Sequence, residues 1–185
     1  MAKTGIRYAV FAEATEASDG TITYSNGKCL SPVAGFNGSI NQSNGKDYGD
    51  DRVVATDNTV TGGTLTVELN EDNDDIYTML LGHAVASGTG ADPAIQYKDT
   101  DVAPFIGTGA IGRSGDKWVG KWYTKVQFHE PADDNATAQE NITFGHVTLE
   151  GDILIPANGL WKERETFDTL TAAKTWLNGK AGISG

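Results

Sequence analysis

Asn-Gly occurs five times in this chain, at Asn26, Asn37, Asn44, Asn158 and Asn178, among 23 glycines. Both residues tolerate the left-handed backbone that a two-residue hairpin demands, so the pair favours sharp reversals between antiparallel strands. Many short strands joined by tight turns is the expected architecture. Alternation agrees: Leu65, Val67 and Leu69 interleave with Thr64, Thr66 and Glu68, giving an amphipathic strand with a polar outer face. Over 118 to 128, Trp118, Trp122, Val126 and Phe128 occupy the even positions against Lys121, Tyr123, Lys125 and Gln127, which predicts one buried and one solvated face. Ile142 and Phe144 share one parity, while Val147, Leu149, Ile153 and Ile155 share the other, as a one-residue bulge near Gly145 and His146 would produce.

Two short helices are expected among the strands. One follows the acidic run Glu71 to Asp75, whose carboxylates suit a helix N-terminus, and presents Ile76, Met79 and Leu80 on one face before Gly82. The other starts at Asp168 or Thr169, packs Leu170, Ala173 and Leu177 with Trp176 beside them, and stops at Gly179. Residues 41 to 63 fit no compact core, because the only apolar stretch in them is Val53, Val54 and Ala55. A connection of that length is usually functional or disordered, and the expectation here is an ordered arm that pairs with another copy, with a mobile surface loop as the alternative. With 185 residues, all of this fits one domain spanning 1 to 185.

Tests for chemistry point away from an enzyme, and no cofactor or metal site is expected. Gly107 to Gly112 matches the dinucleotide-binding glycine pattern, but a strand follows where a helix is required. Glycines in such a strand would instead let a ring or another backbone approach closely. No glycine falls sixth from Asp72, which rules out an EF-hand loop, and His83, His129 and His146 are scattered. The lone Cys29 reads as a small buried hydrophobe, and the four tryptophans as core rather than a sugar-stacking platform. No apolar run is long enough to span a bilayer, nor does the start resemble a secretion signal, so no membrane partner is expected. A formal net charge of -11 argues against a surface built to grip nucleic acid, while leaving room for one that lets it slide past.

Several landmarks, read in order, carry a resemblance. They are Gly5-Ile-Arg-Tyr-Ala-Val-Phe11, Tyr48-Gly-Asp-Asp51 followed by Asp57-Asn58, Gly62-Gly-Thr-Leu-Thr-Val-Glu-Leu69 and Tyr77-Thr-Met-Leu-Leu-Gly-His83. Ala103-Pro-Phe-Ile-Gly107, Lys125-Val-Gln-Phe128, Thr143 to Gly151, and a closing Phe167-Asp-Thr helix with Trp176-Leu177 complete the series. Together they resemble the major tail proteins, or tail tube proteins, of phages with long non-contractile tails that infect Gram-positive bacteria.

The resemblance implies a β-sandwich flanked by a helix and assembled as six-membered rings. The rings stack into a hollow virion tube, made in the host cytoplasm around a tape-measure protein and bounded by initiator and terminator proteins. DNA later passes through without specific binding. On this expectation the arm joins successive rings through Lys46, Asp47, Tyr48, Asp50, Asp51, Arg52, Val53 and Val54. The lumen is lined by Asn37, Ser39, Asn41, Thr64, Thr66 and Glu68. Alternatives are another tail component, such as a terminator ring or the tube subunit of a sheathed tail, and a carbohydrate-binding β-sandwich.

Overall fold

A computed structural model describes residues 3–30, 32–49, 52–88, 94–132 and 146–183 of the chain. It is mostly β, with twelve strands among the described residues. The long N-terminal strand β1 (Lys3–Glu16) is followed by β2 (Ile22–Lys28), β3 (Val33–Gln42), β4 (Gly45–Gly49), β5 (Arg52–Asp57) and β6 (Val60–Leu69). After one π turn, Ile76–Leu80, come β7 (Ala84–Ala86), β8 (Ala94–Gln96), β9 (Phe105–Ser114), β10 (Lys117–Phe128), β11 (Val147–Ile153) and β12 (Lys162–Phe167). The helix α1 (Leu170–Lys180) closes the series.

Eight strands form one antiparallel sheet in the order β2-β1-β9-β10-β11-β6-β3, with β12 also pairing to β10. Strand β10 is where the sheet divides: residues 118 to 123 pair with β12, and residues 126 to 128 pair with β11. The limb β11-β6-β3 therefore departs from the limb β2-β1-β9-β10-β12 and folds over it. Phe11 and Ile106 of one limb share a fully buried cluster with Leu65, Val67 and Leu149 of the other. The sandwich is a single sheet doubled on itself.

On the far side of the first limb, α1 buries Ala173 and Leu177 against Val10, Ile111 and Trp122. Its start is fixed by Thr169, whose hydroxyl accepts a hydrogen bond from the Ala172 N–H at 3.2 Å. Strand β10 thus has cover on both faces, and the one-in, one-out expectation for it is corrected. Trp118 and Trp122 face the helix, whereas Val126 and Phe128 face the sandwich interior with Tyr123. An irregularity in the pairing with β9 between Tyr123 and Val126 swaps the parity.

The glycine-rich stretch is strand β9, and close approach of rings explains its composition. A Cβ at Gly107 would overlap the Tyr24 ring and come within 2.6 Å of Trp122 Cζ2. Gly107→Val would have to displace a fully buried tryptophan, a change of the overpacking kind that costs about 1–3 kcal/mol or more.

Turn chemistry differs from the expectation at most Asn-Gly pairs. Asn158-Gly159 does sit in a turn, between β11 and β12. Asn26-Gly27 lies inside β2, where Asn26 has φ 53, Asn37-Gly38 lies inside β3, and Asn178-Gly179 lies inside α1. The tight β9–β10 reversal is made by Gly115 and Asp116, with Gly115 at φ 62.

The first helix forms where expected, as the π turn Ile76–Leu80 with Ile76, Met79 and Leu80 buried, while Asp75 gives it no side-chain cap and binds Lys28 at 2.8 Å. Asn73 holds this segment, donating to the Leu30 carbonyl at 2.7 Å. One further expectation is corrected: Cys29 is exposed, because it follows the end of the edge strand β2 and only its neighbour Leu30 turns into the core. Of the proposed bulge region, Ile142, Phe144 and Gly145 lie outside the described residues.

Candidate functional site

Strands β3, β6 and β11 carry a polar face whose rows follow from register. Asn37 stands opposite Thr66, which stands opposite Glu150; Ser39 stands opposite Thr64, then Asp152 and Gln127. Glu68 lies between Gly35 and Thr148, and its carboxylate covers Gly35 so closely that a Cβ there would come 2.7 Å from Oε2. Asn41 pairs with Gly62 at the far end of the same face. The opposite parity, Leu65, Val67, Leu69, Leu149 and Ile153, is buried. Apolar anchoring on one side and turn-free alternation on the other hold these polar groups outward.

All six residues expected on a polar lining, Asn37, Ser39, Asn41, Thr64, Thr66 and Glu68, therefore share one face. Thr148, Glu150 and Asp152 of β11 belong to it as well. Their signal in the sequence was the spaces between Val147, Leu149 and Ile153, which alternate like those of β6. None of the residues in these rows is Lys or Arg, and His129 borders the face, with Nε2 3.1 Å from Asp152 Oδ2.

Residues 41 to 63 depart from the extended arm in one respect. Strand β3 continues to Gln42 and β6 begins at Val60, so the connection is shorter. Within it β4 and β5 pair with each other as an antiparallel hairpin, from Gly45 opposite Asp57 to Gly49 opposite Arg52. The backbone of Val53 is thus matched to Tyr48 of the same chain, which corrects the expectation that this arm has no pairing of its own. Lys46 is exposed at its base, Asp47, Val54 and Arg52 lie on its strands, and Asp50 and Asp51 fall outside the described residues.

A second cluster was invisible in the sequence because its members come from three separate segments. His83 has a side chain 8% exposed, with Nδ1 2.8 Å from Asp101 Oδ2 and Nε2 2.8 Å from Glu130 Oε2. The Lys98 N–H donates to the same Asp101 oxygen at 3.0 Å, and the Tyr97 ring lies 4.3 Å from the imidazole, centroid to centroid. A neutral imidazole has one N–H, so both contacts are satisfied only when the ring is cationic. Burial by itself would lower the His83 pKa; the hydrogen bonds to Asp101 and Glu130 outweigh it and raise the pKa above its ordinary value. Asp101 is lowered in turn, by His83 first and then by the Lys98 N–H. Their arrangement acts as a clasp between the segment after β8 and the end of β10.

The tryptophans form no exposed row. Trp122 is fully buried, and Trp118, Trp161 and Trp176 pack against the two cores. Among the described residues no helix is long and apolar enough to cross a membrane. Comparison with family models and with curated proteins finds no match for this chain.

Proposed function

We propose that this protein is a self-assembling structural subunit of a phage tail tube, whose copies close into rings that stack around a DNA-conducting channel. The reading assigns it no catalytic reaction and no cofactor. What carries it is the cation-free face of β3, β6 and β11: three carboxylates per copy, Glu68, Glu150 and Asp152, spaced among threonines and amides. Such a wall repels phosphates without binding them, and repeated around a ring it would hold a polyanion in the middle of the channel.

Further support comes from the sheet's unpaired edges. Among the described residues the strand path ends at β2 and β3, each hydrogen-bonded on one side. Exposed edges of this length invite pairing with another chain, and ring closure converts them into interfaces. The β4–β5 hairpin projects from between β3 and β6, next to the proposed wall, where it would reach an adjacent ring with the outer edges of its strands.

Electron microscopy of the purified protein at rising concentration, with and without tail initiator proteins, tests the reading. Rings or tubes are expected. Strictly monomeric protein under all those conditions would overturn it. Replacing residues 43 to 59 with a short Gly-Ser link should preserve cooperative melting and abolish stacking, because among the described residues β4 and β5 pair only with each other.

A further inference from the structure

The five Asn-Gly pairs share a reactivity that the fold treats unequally. Because glycine carries no side chain, its nitrogen can approach the amide carbon of a preceding asparagine. Closure forms a bond from that nitrogen to Cγ and expels ammonia, leaving a five-membered succinimide. Water then opens the ring at either carbonyl, with the chain linked through Cα or through the side chain. The balance is one amide and one water converted to a carboxylate and an ammonium ion. Closure requires a free amide and a backbone able to leave regular structure.

Four of the pairs are held against it. Asn37-Gly38 lies within β3, opposite Thr66 and Leu65, with Gly38 packed against the Tyr123 hydroxyl. Asn178-Gly179 lies in α1, where Asn178 Oδ1 accepts from the Tyr8 hydroxyl at 3.0 Å. In the turn at Asn158-Gly159 both reacting groups are engaged. The Gly159 N–H donates to the Pro156 carbonyl at 2.8 Å, and Asn158 Oδ1 accepts from the Leu160 N–H at 2.9 Å. Asn26 donates to Glu13 Oε2 at 3.0 Å, and Gly27 is wedged against the Ala181 carbonyl.

Asn44-Gly45 differs on each count. Asn44 is exposed, lies between β3 and β4 outside either strand, and among the described residues its side chain has no hydrogen-bond partner. Gly45 opens β4 opposite Asp57, in a hairpin that among the described residues pairs with no other strand and is irregular between Asp47 and Tyr48. A lone two-stranded hairpin is marginally stable, so its Gly45 end opens more readily than any part of the eight-stranded sheet. We propose that Asn44 is a site of spontaneous covalent modification, at which the amide is lost through a succinimide with Gly45 while the other four pairs stay intact. The side-chain-linked product lengthens the backbone by a methylene at the base of the hairpin and places a carboxylate beside the Gly45–Asp57 pair. This chemistry belongs to the folded chain and does not depend on assembly.

Peptide mapping by mass spectrometry, after incubation of the folded protein at mildly alkaline pH, follows amide-to-acid conversion at each pair. The same incubation in urea gives the rates without the fold. In folded protein Asn44 should convert about tenfold faster than any other pair, whereas in urea the five rates should converge. Gly45→Ala should suppress conversion at Asn44 and melt at the wild-type temperature or above, because the added Cβ meets Asp57 Cβ at 3.5 Å, an ordinary contact. Another pair converting first in folded protein, or all five at one rate, would overturn Asn44 as the favoured site. So would an Asn44 that stays intact in folded protein while the urea sample converts, since the hairpin would then protect it. Unchanged conversion in Gly45→Ala would overturn the succinimide route.

Discussion

The outer face of β3, β6 and β11 and the groove at the edge of β3, lined by Arg113, Lys121, Lys162 and Arg164, are both charged, but their charges are arranged on opposite principles. Every carboxylate in the face has neutral cross-strand neighbours: Glu68 has Gly35 and Thr148, Glu150 has Thr66, and Asp152 has Thr64 and Gln127. In the groove Lys121 and Arg164 face each other directly. Carboxylates spaced in this way are tolerated by a sheet face that stays open to solvent, which is what the proposed channel wall requires. The groove gathers like charge instead, with Lys162 beside that pair and its Nζ 4.9 Å from the Tyr123 ring centroid.

The largest expected effect comes from giving the face the groove's sign. Glu68→Lys changes each subunit by two charges in the middle of the wall, and in a ring it produces a basic collar. Tubes should form, but DNA should adhere to them, with an affinity that falls steeply as salt rises because lysine contacts release counterions from the phosphates. DNA ejection from tails built with the variant is therefore slower at low salt than at high salt. Wild-type ejection at both salt concentrations, from well-formed tails, takes Glu68 off the channel wall.

A smaller effect concerns the end of β10, where two histidines meet carboxylates in different settings. His129 and Asp152 are each about half exposed, 55% in both side chains, and such a pair contributes little. The His83 clasp is nearly enclosed. Because its pKa is raised on folding, its contribution is fully present below the ordinary histidine value of 6.5 and is lost as pH rises through the higher folded value. His83→Gln should lower stability by about 1–2 kcal/mol at pH 6, flatten the pH dependence above neutrality, and leave the DNA behaviour of the wall unchanged. Urea melts of both proteins between pH 6 and pH 9 measure this; parallel curves for the two would show that the clasp holds no proton. Glu130, 51% exposed against 14% for Asp101, is the contact expected to open first.

How much of this was legible in the sequence depended on distance along the chain. Strand β6 could be read because one face is buried and the other is not, so Leu65, Val67 and Leu69 announce themselves. Strand β10 misled because α1 covers what would have been its solvent face, and a bulge changes its parity after Tyr123. Asn-Gly predicted turns that are mostly elsewhere, since antiparallel partners and helix packing outweigh a local preference for reversal in β2, β3 and α1. The polar wall was half visible: the β3 and β6 residues follow from alternation, but that β11 completes it depends on register. Neither the His83 clasp nor the groove left a trace, because 83, 101 and 130 come from three separate segments, and 121, 162 and 164 meet only when β12 pairs with β10.

The smallest expected effect is also the most direct test of the two charge arrangements, because it predicts a reversal of sign between them. Thr66 stands opposite Glu150 and next to Glu68 in β6. Thr66→Glu would create on the wall the like-charge opposition that the groove already has, and should destabilise the subunit by about 0.2–1 kcal/mol. Thr66→Lys would pair with Glu150 and should stabilise it by a similar amount, as Arg164→Glu should beside Lys121. Their consequences for DNA then differ. Thr66→Lys adds a cation to the proposed wall and should retain DNA in the manner of Glu68→Lys, whereas Arg164→Glu leaves that face unchanged. Melting curves at low and high salt check the first half, since screening should shrink all three differences together. If Thr66→Glu is neutral at low salt while Arg164→Glu still stabilises, the wall's carboxylates are too well solvated for cross-strand spacing to matter. The interleaving with threonine would then answer to the channel's surface chemistry instead of to the stability of the sheet.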